Sequence, residues 1–426
     1  MKPNSDVAAS PDGQHATFFR QSGWLMLATI LQGGFTFCVH GLSKNVPSGE
    51  YSSFGAVLNL VSCLPTIAIQ MIFAHQVAEA IVKNRQRQIA SMVRQTCLWT
   101  FLLWAVAAVL VLSFQDRIVA RWELPSTAIL WITLGTILVV LWLPIFSGIL
   151  QGRQDFLWLG WVTLTPGIIR FGLAAVLVLL FAGGATSMMV GALAGLGMGM
   201  IVAMWRSRDW WLAPGEKFDF APMLGKAVPL LLGFWSCQFL FTSDVMFAKA
   251  FFKGKDVDPY VIAGTLGRGV QWLVLPMATV MFPKLVHSAA KSEKNNLLKL
   301  VFAGTAILSI VGGIGLWLFG PMVIRLVSDP AWVEPARPLL PWYAAAIVFL
   351  ALANVLANDL LARGCFKVVP FMVLIAVTYG FTIPWMLNHV SLRLETILQT
   401  LTAFNFLLLL VCAWAAFGKK SQPSSS

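Results

Sequence analysis

The chain has 426 residues, 58% hydrophobic and 11% charged, with a mean hydropathy of +0.77. A soluble domain has no means of hiding that much apolar surface, so a water-soluble catalyst is excluded. The net charge of +12 sits in short Lys and Arg clusters between apolar runs, which fits loops at a membrane and excludes a basic face for nucleic acid.

Taken in chain order, the polar opening MKPNSDVAASPDGQHATFFR lacks a short apolar core with a small-residue cleavage site, so no cleaved signal peptide is expected and 1–21 reads as a tail. A membrane crossing needs roughly 20 apolar residues. Spans are expected near 22–43, 54–77, 96–114, 127–150, 157–182 and 186–205, then near 227–251, 260–286, 297–320, 338–361, 368–389 and 395–417. The hydrophilic stretch 206–226, with Pro214-Gly215 and scattered charges, separates an N-lobe (22–205) from a C-lobe (227–417), and 418–426 is a second tail. The fold class is all-α integral membrane, with about twelve helices in two six-helix lobes.

Lys83, Arg85, Arg87, Arg94, Arg153, Arg206, Arg208, Lys284, Lys291, Lys294 and Arg363 lie between spans on the side of the termini. The opposite side holds fewer cations, among them Lys44, Arg117, Lys253 and Arg393. This bias places both termini in the cytoplasm. Trp24, Trp122, Trp210, Trp211, Trp332 and Trp342 fall near span ends, as interfacial anchors do. Five cysteines (Cys38, Cys63, Cys97, Cys237, Cys412) sit in apolar runs and Cys365 in a basic loop; without C-x-x-C or His pairing, neither metal nor disulfide is expected. No cofactor motif is present in the sequence.

The halves repeat at an offset of about 210 residues. Tyr51 and Gly55 match Tyr260 and Gly264; Leu64-Pro65 matches Leu275-Pro276; Arg153, Phe156 and Phe171 match Arg363, Phe366 and Phe381. Six spans per half make parallel repeats related by a pseudo-two-fold axis along the membrane normal, around a central cavity. Polar residues at helical spacing give candidate cavity faces. The first span carries Thr29, Gln32, Thr36 and His40; the second Asn59, Ser62, Thr66 and Gln70; the seventh Ser236 and Asp244; the eighth Thr265, Arg268 and Gln271. Such stripes also knit helices together in lipid, and that reading stands beside the functional one.

Ionisable residues inside spans carry more weight, since each costs at least about 2.5 kcal/mol at the bilayer centre. Arg170, beside Pro166 and Gly167, and Arg268, between Gly267 and Gly269, suit a phosphate-bearing substrate. Asp244 is a candidate for exchanging a proton or binding Na+. The structural alternative is a buried ion pair of Asp244 with Arg170 or Arg268. His40 and His75 read as core or solvated residues, Asp359 and Arg363 as a helical ion pair, and Lys249 as a lysine snorkelling to the boundary.

From Thr242-Ser243-Asp244 through Tyr260, Arg268, Pro276 and Phe282-Pro283-Lys284, the chain resembles the polysaccharide-exporter and lipid-linked oligosaccharide flippase branch of the multidrug/oligosaccharidyl-lipid/polysaccharide exporter superfamily. Tyr51 opening span two, the Arg153-x-x-Phe156 loop and the linker position agree with it. The resemblance implies a cavity lined by spans one, two, seven and eight. It also implies that cationic residues, by position Arg268 and Arg170, receive the pyrophosphate of an undecaprenyl-linked glycan. Gln271, Gln32 and Asn59 are the accompanying substrate-binding candidates, and Asp244 the ion-coupling one. The expected protein is a transporter and not an enzyme, in a bacterial inner membrane, flipping an O-antigen, capsule or exopolysaccharide unit, with a polymerase or ligase as partner. The alternative is an ion-coupled drug or cation antiporter of the same superfamily.

Overall fold

The computed structural model describes residues 11–271 and 296–418. The first half comprises α1 (Pro11–His40), α2 (Glu50–Ser62), α3 (Thr66–Val82), α4 (Gln86–Ser113), α5 (Gln115–Trp122), α6 (Thr127–Gly152), α7 (Phe156–Phe181), α8 (Ala185–Arg206) and the short α9 (Arg208–Trp211). The second comprises α10 (Ala221–Phe251), α11 (258–271), α12 (Asn296–Val327), α13 (Val333–Ala336), α14 (Leu340–Ala362), α15 (Val369–His389) and α16 (Leu394–Phe417). Among the described residues, 11 stretches are long and apolar enough to cross a membrane, and they coincide with eleven of the expected spans. The chain is a multi-pass α-helical membrane protein. The eighth span begins as α11; most of its length, with Pro276 and Phe282-Pro283-Lys284, lies outside the described residues.

The helices form two lobes with matching internal packing. In the first, α1 packs on α7, α7 on α8, and α6 on α8. In the second, α10 packs on α15, α15 on α16, and α14 on α16, the same pairs displaced by six spans. Without water to drive helices together in lipid, close backbone approach does much of this work. A Cβ at Gly195 of α8 would stand 2.5 Å from the Pro166 carbonyl, and one at Gly191 2.8 Å from the Arg170 carbonyl, so these glycines let α8 press directly on the turn of α7 that carries Arg170.

The second span is not one helix. Proline lacks an N–H and disfavours helical geometry in the residue before it. The chain accordingly leaves the helix after Ser62, closes a tight turn from Thr66 N–H to the Leu64 carbonyl (2.8 Å), and restarts as α3. What reads as one apolar run is two half-helices jointed at Pro65.

Loops 41–49, 114–126, 252–257 and 328–339 lie on one face, called here the far face; the inter-lobe linker lies on the near face. At the far face several hydrogen bonds join the lobes. Lys44 donates to the Leu326 carbonyl (2.6 Å), Gly254 N–H to Glu123 (2.8 Å), and Asp258 and Lys249 both engage the start of α2. These bonds tie the lobes at the far face, and α10 also packs on α2 and on α3.

Candidate functional site

Between the lobes is a cavity of about 650 Å³. Its wall includes His40 and Thr265 toward the far face and extends past Arg170 and Arg268 to Gln70, Ser147 and Asn358 in the near-face halves of their helices. All five candidate substrate residues, Gln32, Asn59, Arg170, Arg268 and Gln271, lie on this wall. Spans one, two, seven and eight contribute, and so do α6, α7 and α14. Asn354 and Asn358 of α14 were not among the expected residues, although their four-residue spacing in an apolar run is the same signal that marked the other stripes.

The two arginines differ in their surroundings. Arg268 Nη2 meets Asp244 Oδ1 at 2.5 Å, and its Nε donates to the Phe241 carbonyl at 3.2 Å. Asp244, fully buried behind the wall, also accepts from the hydroxyls of Tyr343 (2.6 Å) and Tyr260 (3.2 Å). A carboxylate with three donors is well satisfied, and of the two ion pairs open to Asp244 the one with Arg268 is formed. Gly264 makes room for this group, since a Cβ there would lie 2.7 Å from both Arg268 Nη1 and the Tyr343 hydroxyl.

Among the described residues, Arg170 has no acid beside it. Its Nε and Nη2 are buried without a hydrogen-bond partner among the described residues, and its guanidinium carbon lies 5.7 Å from the centroid of the Phe54 ring. A cation–π contact offsets only part of the cost of withdrawing a charge from water. Among the described residues, Gln271 Oε1 is likewise buried without a donor. These unsatisfied groups belong to wall residues, one a donor set and the other an acceptor.

Gln32 donates to Thr36 (3.1 Å) and Asn59 to the Gly55 carbonyl (2.8 Å), which leaves the Asn59 amide oxygen uncommitted by that bond. His40 Nδ1 is 2.8 Å from the Tyr51 hydroxyl at the far-face end of the cavity. Thr29 and Ser236 do not line it; their hydroxyls return to the Leu25 and Leu232 carbonyls of their own helices. Asp359 and Arg363 form the expected helical pair at 2.8 Å. Lys249 departs from expectation: it is 2% exposed and donates to the Gly49 carbonyl and Ser52 Oγ of the other lobe instead of reaching the boundary, because the start of α2 offers it two acceptors.

A hydrophilic maleimide tests whether this space is wet. Single cysteines at Thr66 and Asn358 are expected to react and one at Leu60, which is 37% exposed away from the cavity, to resist. Equal protection at all three would reduce the polar wall to helix packing.

No protein-family model and no curated protein sequence matches the chain. Solved structures do match over nearly its whole length. An Asp-to-Asn mutant of the Vibrio cholerae MATE transporter VcmN is 11% identical, with 94% of this chain and 95% of that one covered and a TM-score of 0.67. Lipid II flippase MurJ in an inward closed conformation is 14% identical, with 93% and 87% covered and a TM-score of 0.68. The eukaryotic MATE transporter AtDTX14 is 13% identical, with 95% and 97% covered and a TM-score of 0.61. At these identities the likeness is one of architecture: the chain has the two-lobed fold that MATE transporters share with the lipid II flippase MurJ.

Proposed function

We propose that this protein is a membrane transporter that carries an anionic glycolipid, of the class of an undecaprenyl-pyrophosphate-linked oligosaccharide, across the bacterial inner membrane by alternating access. The observation that carries this reading is the charge of the wall. Among the described residues it holds Arg170 and Arg268 and no Asp or Glu, and the nearby buried carboxylate, Asp244, is already bound to Arg268. A cavity selecting cations needs an acid facing the ligand; this one offers guanidinium groups, which bind phosphate oxygens through paired hydrogen bonds. Toward the near face the wall changes to amides and hydroxyls, Gln70, Gln238, Asn354 and Asn358 among them, a surface suited to the hydroxyls of an uncharged sugar.

With the basic loops in the cytoplasm, the cavity faces the compartment in which such donors are assembled, and a polymerase or ligase on the other side is the natural consumer. Asp244 is the candidate for ion coupling, since a proton or Na+ reaching it would compete with Arg268. Ligand binding to the purified protein in nanodiscs separates this reading from the antiporter suggested by the MATE fold. A polyprenyl-pyrophosphate sugar should bind and be displaced by excess inorganic pyrophosphate, whereas tetraphenylphosphonium should not bind. The reverse pattern would overturn the proposal in favour of a cation antiporter.

A further inference from the structure

Two charged side chains of the second lobe hold one helix end of the first. Asp258, at the start of α11, accepts from the backbone N–H groups of Gly49 (2.7 Å) and Ser52 (2.8 Å), the cap and first turn of α2. These are donors that a helix leaves without internal partners, at the end of its dipole that attracts negative charge. Lys249, in the last turn of α10, takes the acceptors of the same turn, the Gly49 carbonyl (3.3 Å) and Ser52 Oγ (3.1 Å). Gly49 adopts φ 86°, a left-handed conformation that its missing side chain permits and that presents both its N–H and its carbonyl to the other lobe. Asp258 is fully buried and Lys249 is 2% exposed, so neither charge has water to replace these partners. The Tyr51 ring stacks on Trp332 beside them at 5.5 Å.

The other end of α2 is the break at Pro65. A rigid helix of 13 residues is thus bound to the other lobe at one end by side chains that can let go and is jointed at the other end. At the bound end it is also tied to its own lobe by Glu50, which accepts from Ala185 N–H (2.9 Å), and by Ser53, which donates to the Glu123 carbonyl (3.2 Å). Its contact with α11 is close at Gly55, where a Cβ would fall 2.4 Å from Val261 Cγ1. Leu58, Asn59 and Ser62 of the same helix line the cavity. We infer that α2 is the moving gate of the far face, hinged at Pro65 and latched by Lys249 and Asp258. Releasing the latch parts α2 from α10 and α11 and displaces part of the ligand wall in the same motion. Opening of the far face and loss of the binding geometry are thereby one event. The inference is independent of what the cavity carries.

Pulsed electron-electron distance measurements on the full chain in liposomes test it, in a background without the six native cysteines. Spin labels at Arg117 on α5 and Glu334 on α13 report the far face across the lobes. The parent protein should show one short distance. Asp258→Ala and Lys249→Met should each raise a longer-distance population from under about a tenth of molecules to a major fraction. Labels at Leu60 and Ile81 span the hinge and should shift with Asp258→Ala; labels at Ile67 and Ile81, both on α3, should not. Should neither variant fold, a disulfide between Gly55→Cys and Val261→Cys, which leaves both latch residues in place, decides the matter, since a Cβ on Gly55 would stand 3.4 Å from Val261 Cβ: it should abolish the longer distance and reductant should restore it. Folded latch variants with the parent's distance distribution, or a disulfide-locked protein that still opens, would overturn the gate.

Discussion

Arg170→Ala is expected to abolish glycolipid transport while leaving a protein at least as stable as the wild type. The two effects point in opposite directions for one reason. Buried donors without partners cost roughly 1–3 kcal/mol each, more when the group is charged, and Arg170 has two of them, Nε and Nη2. Its contact with Phe54, at 5.7 Å, returns about 0.5–2 kcal/mol. The residue is therefore a net liability to the ligand-free fold, and a phosphate entering the cavity supplies the missing acceptors. Pyrophosphate at a hundredfold excess over its Kd should stabilise the wild type by about 2.7 kcal/mol and the variant by nothing. Arg170→Lys should keep the charge, lose the paired hydrogen bonds and transport poorly. A well-expressed Arg170→Ala protein with full transport would remove the observation on which phosphate recognition rests.

The architecture was legible because lipid imposes length: each crossing needs its own uninterrupted apolar run, and the runs announce themselves. The repeat was legible in matched residues such as Gly55 and Gly264, each a position where an added Cβ would fall within 3.0 Å of a neighbouring side chain. The break in the second span was hidden, because Leu64-Pro65 interrupts hydrogen bonding and leaves hydropathy unchanged. Lys249 was misread for want of a partner: its acceptors belong to residue 49 and residue 52, about 200 positions away, and nothing local marks them. Likewise the choice between Arg170 and Arg268 as the mate of Asp244 depends on which faces of α7, α10 and α11 meet. Asn354 and Asn358 did carry a local signal, but they stand on the tenth span, whereas the repeat argument directed attention to spans one, two, seven and eight.

The pair of Asp244 and Arg268 yields the second large effect, and it separates a structural role from a functional one. Arg268→Ala strands a buried carboxylate on two tyrosine hydroxyls, and removing one partner of a buried pair costs about 3–5 kcal/mol. Asp244→Asn removes the charge that Arg268 answers and frees the guanidinium for ligand. That variant should bind pyrophosphate roughly tenfold tighter, equivalent to about 1.4 kcal/mol, yet release it slowly and lose any response of transport to an imposed ion gradient. The double variant Asp244→Asn with Arg268→Gln deletes both charges together, so thermal stability should recover relative to Arg268→Ala. Transport should not recover with it, because the guanidinium that meets the phosphate is gone. Recovery of both would make the pair a structural element alone. Normal transport by Asp244→Asn under every gradient would likewise remove this residue from coupling.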